Sequence, residues 1–192
     1  MPLALVLIVL AAAWRVLAVF APALSNFAPL MALTFCGAVY FRDRRMWFVP
    51  LLALTFSDFF LNAYYAAATH TTWSWSSELV RLACFAAAIP VGRWVASRKN
   101  WVTLFAGALG GSILFYLATN TDAWFMDPVY AKTAAGWWQA MTIGHPEYLP
   151  TLFFFRNTLV SDLLFTAAFA VAMEVSALRA HRPSLLKPHA TA

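Results

Sequence analysis

Acidic residues are scarce in this chain, and so are cysteines. Eight Asp and Glu stand against thirteen Lys and Arg in 192 residues; only 11% of positions are charged and 62% are hydrophobic. With a mean hydropathy of +0.69, that shortage of charge excludes an ordinary soluble domain, whose surface needs far more polar side chains. The two cysteines, Cys36 and Cys84, both lie inside apolar runs. They offer neither a disulfide framework nor zinc-ligand spacing. A phosphate loop, a His-Glu-x-x-His pair, a Ser-His-Asp order and a paired catalytic carboxylate motif are all missing. An enzyme is therefore not expected, and no cofactor is implied. The basic balance, with a pI near 9.6, points to anionic lipid headgroups rather than nucleic acid, because the charges hug the ends of apolar runs.

What is present is a pattern of basic clusters. Nine of the thirteen Lys and Arg fall in three groups: Arg42, Arg44 and Arg45; Arg93, Arg98 and Lys99; Arg179, Arg182 and Lys187. Apolar runs fit membrane-spanning helices over residues 3–21, 27–41, 46–66, 78–96, 101–119 and 152–178, since a span takes roughly 20 apolar residues. The clusters then follow the second, fourth and sixth spans and share one face. Short Lys/Arg-rich loops stay cytoplasmic because translocating them is costly. The expectation is an all-α, six-helix transmembrane bundle over residues 1–178 in a bacterial inner membrane, with both termini cytoplasmic and 179–192 a basic cytoplasmic tail. A signal peptide competes for the first span, with 3–13 as its apolar region and Ala21-Pro22-Ala23 as a faint cleavage site. No positive residue precedes that run and Arg15 interrupts its continuation, so the segment is expected to stay as a helix.

Residues 120–150 form one long outer connection rich in aromatics, among them Trp124, Tyr130, Trp137 and Trp138. Its aromatic content argues for an ordered lid or binding element, with a short interfacial helix over 131–141. In the fifth span, Gly107-x-x-x-Gly111 allows close helix approach; packing inside the bundle is preferred over a dimer face.

The polar residues within the spans carry the functional reading. At about 1.5 Å per residue, Arg15, Asn26, Asp58, Asn62, Glu78, Arg81, Cys84, Asn120, Arg156, Asn157, Ser161 and Asp162 all fall in the outer half; only Glu174 falls in the inner half. A charge near the bilayer centre costs about 2.5–3.5 kcal/mol, so Arg15, Asp58, Arg156 and Asp162 are expected to face the bundle interior, acids balancing arginines. Buried pairs of this kind also hold helices together without binding anything. The number of groups gathered beneath an aromatic loop favours an outward-open cavity. Asn26, Asp58, Asn62, Arg81, Asn120, Arg156, Asn157 and Asp162 would supply directional bonds there, and Trp73, Trp137 and Trp138 would close over the solute. Cys84 could ligate a soft metal carried by the solute, although a buried cysteine is more often a small apolar filler.

Several motifs carry a resemblance. Asn26-Phe27-Ala28-Pro29-Leu30, the run from Phe35-Cys36-Gly37 to Arg42-Asp43-Arg44, and Leu51-Leu52-Ala53-Leu54 with Ser57-Asp58 are the first of them. Tyr130-Ala131-Lys132-Thr133-Ala134-Ala135-Gly136, and Phe154-Phe155-Arg156-Asn157-Thr158 with Asp162-Leu163-Leu164-Phe165, complete the set. Over nearly the whole chain they resemble a family of bacterial membrane proteins described as transporters of unknown function. That family is similar to the substrate-binding S components of energy-coupling-factor vitamin transporters, which have six helices. The resemblance implies a membrane uptake protein that takes a vitamin-like solute from outside. The solitary cobalamin-uptake branch implies that Cys84 could meet a cobalt. S components that dock on a shared energising module carry small-x-x-x-small spacing in their first helix. Here Ala11, Ala12 and Ala13 form no such pair, which favours solitary action. The competing expectation is an accessory or structural subunit of a larger membrane complex.

Overall fold

The structure is a computed structural model that describes residues 24, 26–69 and 74–186, with positions 6, 9, 13, 14 and 21 before them. Most of the expected first span, Arg15 included, and also Trp73, Lys187 and the side chain of Asn62, lie outside the described residues. Within them the chain is all-helical: α1 (Leu30–Tyr40), α2 (Arg45–Thr69), α3 (Trp75–Ser97), α4 (Trp101–Met126), α5 (Ala134–Met141) and α6 (Thr151–Arg179). Three of these, α3, α4 and α6, are long and apolar enough to cross a membrane. They mark the chain as a membrane protein.

A short apolar helix sits at the centre. α1 packs against α2, α3, α4 and α6, and every residue from Leu30 to Val39 is buried. A helix apolar on all sides belongs inside a bundle, and Leu-Met-Ala-Leu-Thr-Phe-Cys-Gly-Ala-Val has no polar face to turn outward. Its one hydroxyl, Thr34, donates to the carbonyl of Leu30 at 2.9 Å. α1 also starts later than residue 27. Asn26 takes a left-handed backbone (φ 61°), which Asn tolerates better than most residues. Pro29, which lacks an N–H, occupies the N-cap without a side-chain cap bond.

α4 runs through Met126, well past residue 119. Hydrophobicity ends near Thr119, but the helix does not. Thr119 Oγ1 donates to Phe115 O at 2.7 Å and Asn120 Nδ2 to Tyr116 O at 2.7 Å, so the polar residues bond back to their own helix. Its start is set by Asn100 and Thr103, which satisfy each other's amides in a capping box. The outer loop is ordered around the α4 extension. Trp124 Nε1 donates to Ala131 O at 2.9 Å, and Lys132 Nζ to Asp127 O at 2.8 Å. α5, capped by Thr133, docks through Trp137 Nε1 to Thr121 Oγ1 at 3.1 Å and through the Tyr116 hydroxyl to Met141 O.

The basic clusters meet at one end. Arg93 donates to Ala38 O at 3.2 Å and lies 4.9 Å from the Trp47 ring. Lys99 pairs with Glu174 at 2.7 Å and sits 4.8 Å from the Tyr40 ring. The segment after α6 folds back onto the same residue: the Leu185 amide donates to the carboxylate oxygen Glu174 Oε2 at 2.8 Å, and Ser184 Oγ to the Glu174 backbone carbonyl at 3.1 Å.

Candidate functional site

At the end opposite those clusters, α1, α3, α4 and α6 enclose a small polar chamber of about 110 Å³. Asn26, Arg81, Thr158 and Asp162 supply its polar wall, and Met31, Phe85 and Phe115 its apolar one. Helical phase explains the contribution of α6. Asn157, Thr158, Ser161, Asp162, Thr166, Phe169 and Ala170 are all buried, a stripe recurring every three or four residues and turned to the core. Thr158 and Asp162, one turn apart, look into the chamber from that stripe.

Asp162 is its deepest group, 1% exposed. Ser112 Oγ, itself fully buried on α4, donates to Asp162 Oδ2 at 2.7 Å. The Ala32 amide, free in the first turn of α1, faces the same carboxylate. Oδ1 makes no hydrogen bond of normal geometry among the described residues. Arg81 projects from α3, where it pairs with the buried Glu78 one turn earlier, and its Nε is buried without an acceptor. Asn26 closes the chamber from the turn before α1, where its carbonyl accepts from Thr158 Oγ1 at 3.4 Å. The site therefore holds a carboxylate, a guanidinium already matched by Glu78, an amide and a hydroxyl. These groups can bind a small polar molecule; no nucleophile–base pair stands among them. No group of three or more His, Cys, Asp or Glu is placed to hold a metal among the described residues.

A second space adjoins the first. An apolar groove of about 310 Å³ runs between α3 and α4 over α1, and Asp162 and Met31 line both spaces. Cys84 belongs to this groove, not to the polar chamber. The Gly107-x-x-x-Gly111 face forms part of the groove wall and packs inward. A Cβ on Gly107 would press the Phe35 ring at 2.6 Å, and one on Gly111 would meet Met31 at 3.5 Å.

Among the expected site residues, Asn26, Arg81 and Asp162 come together. Asp58 is buried on α2, and Asn157 on α6, but neither lines the two spaces. Arg156 departs from expectation. It is exposed, stacked 4.3 Å from the Phe153 ring and bonded to Asn157 Oδ1 at 3.2 Å. It lies on the stripe of Leu152, Val160 and Leu164, which are 50%, 43% and 56% exposed. Six residues separate it from Asp162, about 240° around the helix, so the two cannot share an interior face. Its place near the start of α6 lets the guanidinium reach the interface while its stem covers apolar surface. Asn120 is turned to its own helix, Trp137 is spent on Thr121, and Trp138 is 64% exposed; these aromatics brace the loop and do not cover the chamber.

Thr158 and Ser112 were not among the expected site residues, although a hydroxyl in an apolar span is itself a signal of a buried partner. The family model DUF6580, described as a family of unknown function, matches residues 1–185. The chain belongs to that family. No curated protein and no solved structure matches it.

Proposed function

We propose that this member of the family is a bacterial inner-membrane uptake protein that binds a small, partly polar, vitamin-like solute in the chamber around Asp162. Residues 3–21 and α2 would join α1, α3, α4 and α6 as spans of a six-helix bundle similar to S components. The basic clusters would face the cytoplasm by the charge rule, and the chamber would then open outward. The observation that carries the reading is a buried carboxylate with one unengaged oxygen beside Arg81, Asn26 and Thr158. A scaffold alone gains nothing from leaving such an atom unmatched, since a buried acceptor without a donor is destabilising. A bound solute that donates to it would recover that loss.

The chamber is smaller than most ligand pockets, which span about 300–1,000 Å³; the polar part of the solute that it holds is correspondingly small. Cobalamin, the solute implied by the solitary branch, greatly exceeds both spaces. The absorption spectrum of purified protein decides that point, because a corrinoid is coloured. The decisive measurement is native mass spectrometry of gently purified protein with accumulation of the identified solute in cells. Arg81→Ala and Asp162→Asn each lower uptake about tenfold or more, the loss of one hydrogen bond to a charged group. Protein that carries no solute, with uptake untouched by either change, refutes the proposal. The accessory-subunit reading draws on the exposed Phe125, Trp138 and Tyr148 of the outer region, and constant co-purification with a partner and no solute would favour it.

A further inference from the structure

The groove beside the chamber narrows the choice of ligand. It runs from Cys84, Leu114 and Asp162 at one end to Trp94 and Ala106 at the other. Ten residues of α3 separate Cys84 from Trp94, so the groove is about 15 Å long. Its walls are apolar apart from Asp162 and the Cys84 thiol. It faces out of the bundle: Val91, Trp94 and Leu114 are 40%, 53% and 43% exposed, and a Cβ on Gly110 would meet nothing within 4 Å. In a membrane protein that side faces lipid, so this is a slot open to the bilayer with a buried acid at its inner end.

We infer that the groove and the chamber together bind one amphiphile that enters sideways from the bilayer, its apolar tail along the groove and its hydrogen-bond-donating head, an amine or a hydroxyl, on Asp162. This rests on the chamber being a solute site and names the class of solute. Three observations support it. Asp162 is shared by both spaces, so a head on its carboxylate leaves its tail at the mouth of the groove. Ser112 takes up Oδ2 and the Ala32 amide faces the carboxylate, while Oδ1 has no hydrogen bond of normal geometry and can accept from a donor. The Arg81 charge beside it is matched by Glu78, which removes the main reason for the site to choose an anionic head.

The test uses the full chain in phosphatidylcholine nanodiscs and an alkylamine brominated at its tail end. Bromine quenches tryptophan on contact, and Trp94 stands at the far end of the groove. Saturable quenching is expected, it should disappear in Trp94→Phe, and the unbrominated alkylamine or alkanol should compete while the alkanoate does not. Gly110→Phe, which fills open space, should abolish the saturable component, and Asp162→Asn should weaken amine binding at least tenfold. Quenching that never saturates, or that survives Trp94→Phe and Gly110→Phe unchanged, overturns the inference. So does a Gly110→Phe protein that turns from dimer to monomer in detergent, because the groove would then belong to a second copy. If Arg81→Ala impairs uptake of a wholly polar solute while Gly110→Phe leaves it intact, the groove is refuted and the chamber stands. If neither substitution affects binding or uptake, both fall.

Discussion

Lys99→Ala will lower the stability of the bundle by about 3 kcal/mol, the lower end of what breaking a buried ion pair costs. Glu174 is fully buried, and Lys99, about a quarter exposed at its side chain, is its cation at 2.7 Å. Removing the ammonium leaves a carboxylate in the core with only the Leu185 amide and neighbouring hydroxyls to face it. Glu174→Gln is milder, about 1 kcal/mol, because the neutral amide still accepts from Leu185 and the freed Lys99 can turn to solvent. The double substitution should therefore recover much of the Lys99→Ala loss. Thermal unfolding in mild detergent measures all three. Equal losses for the two single changes would mean that the pair is not what holds the end of α6.

That pair also shows what a sequence of this kind discloses. The grouping of Arg42 to Arg45, Arg93 to Lys99 and Arg179 to Arg182 announces that these segments lie together, and Arg93 on Trp47 and Lys99 on Glu174 tie the second group to the helices that carry the other two. Charge is costly to move into lipid, so its position along the chain is constrained by depth alone. Glu174 read as an ordinary inner-half residue near the headgroups, yet it is the closed centre of that end. Its burial was not legible, because burial depends on what folds over the residue, here Ser184 and Leu185 from beyond the helix.

The candidate site divides in the same way. Asn26, Arg81 and Asp162 meet because each is polar, near one end and turned to the chamber, Arg81 and Asp162 by helical phase and the exposed Asn26 by the turn before α1. Arg156 satisfies the first two conditions and fails the third. Its helical phase was readable beforehand: Leu152, Val160 and Leu164 stand at four-residue steps from it, and a stripe otherwise apolar on a spanning helix faces lipid. Helix ends were harder. Polarity at Thr119 and Asn120 marks where the apolar run stops, whereas side chains bonding back to Phe115 and Tyr116 carry α4 onward to Met126. The start of α1 was misplaced for a comparable reason, since a left-handed Asn26 and a proline at the cap are tertiary choices that no local preference dictates.

Gly92→Ala is expected to cost about 1–3 kcal/mol, the usual penalty for overpacking a close-packed interior. A Cβ there would stand 2.7 Å from the Phe35 carbonyl oxygen and 2.8 Å from Ala38 Cβ. Neither neighbour can swing away: one is backbone of the buried central helix, the other a methyl on it. The added methyl must push α3 off α1, and these two helices form the floor and one wall of the apolar groove. Helix propensity alone predicts the opposite sign, since Ala is favoured over Gly by about 1 kcal/mol in a helix interior. Gly110→Ala isolates that term, because its Cβ meets nothing within 4 Å; it should be neutral to stabilising. Thermal melts of the two proteins in one detergent separate packing from propensity. If Gly92→Ala melts at or above the parent, α1 and α3 do not approach as closely as their glycine and alanine contacts require, and the groove between α3 and α4 loses its fixed floor.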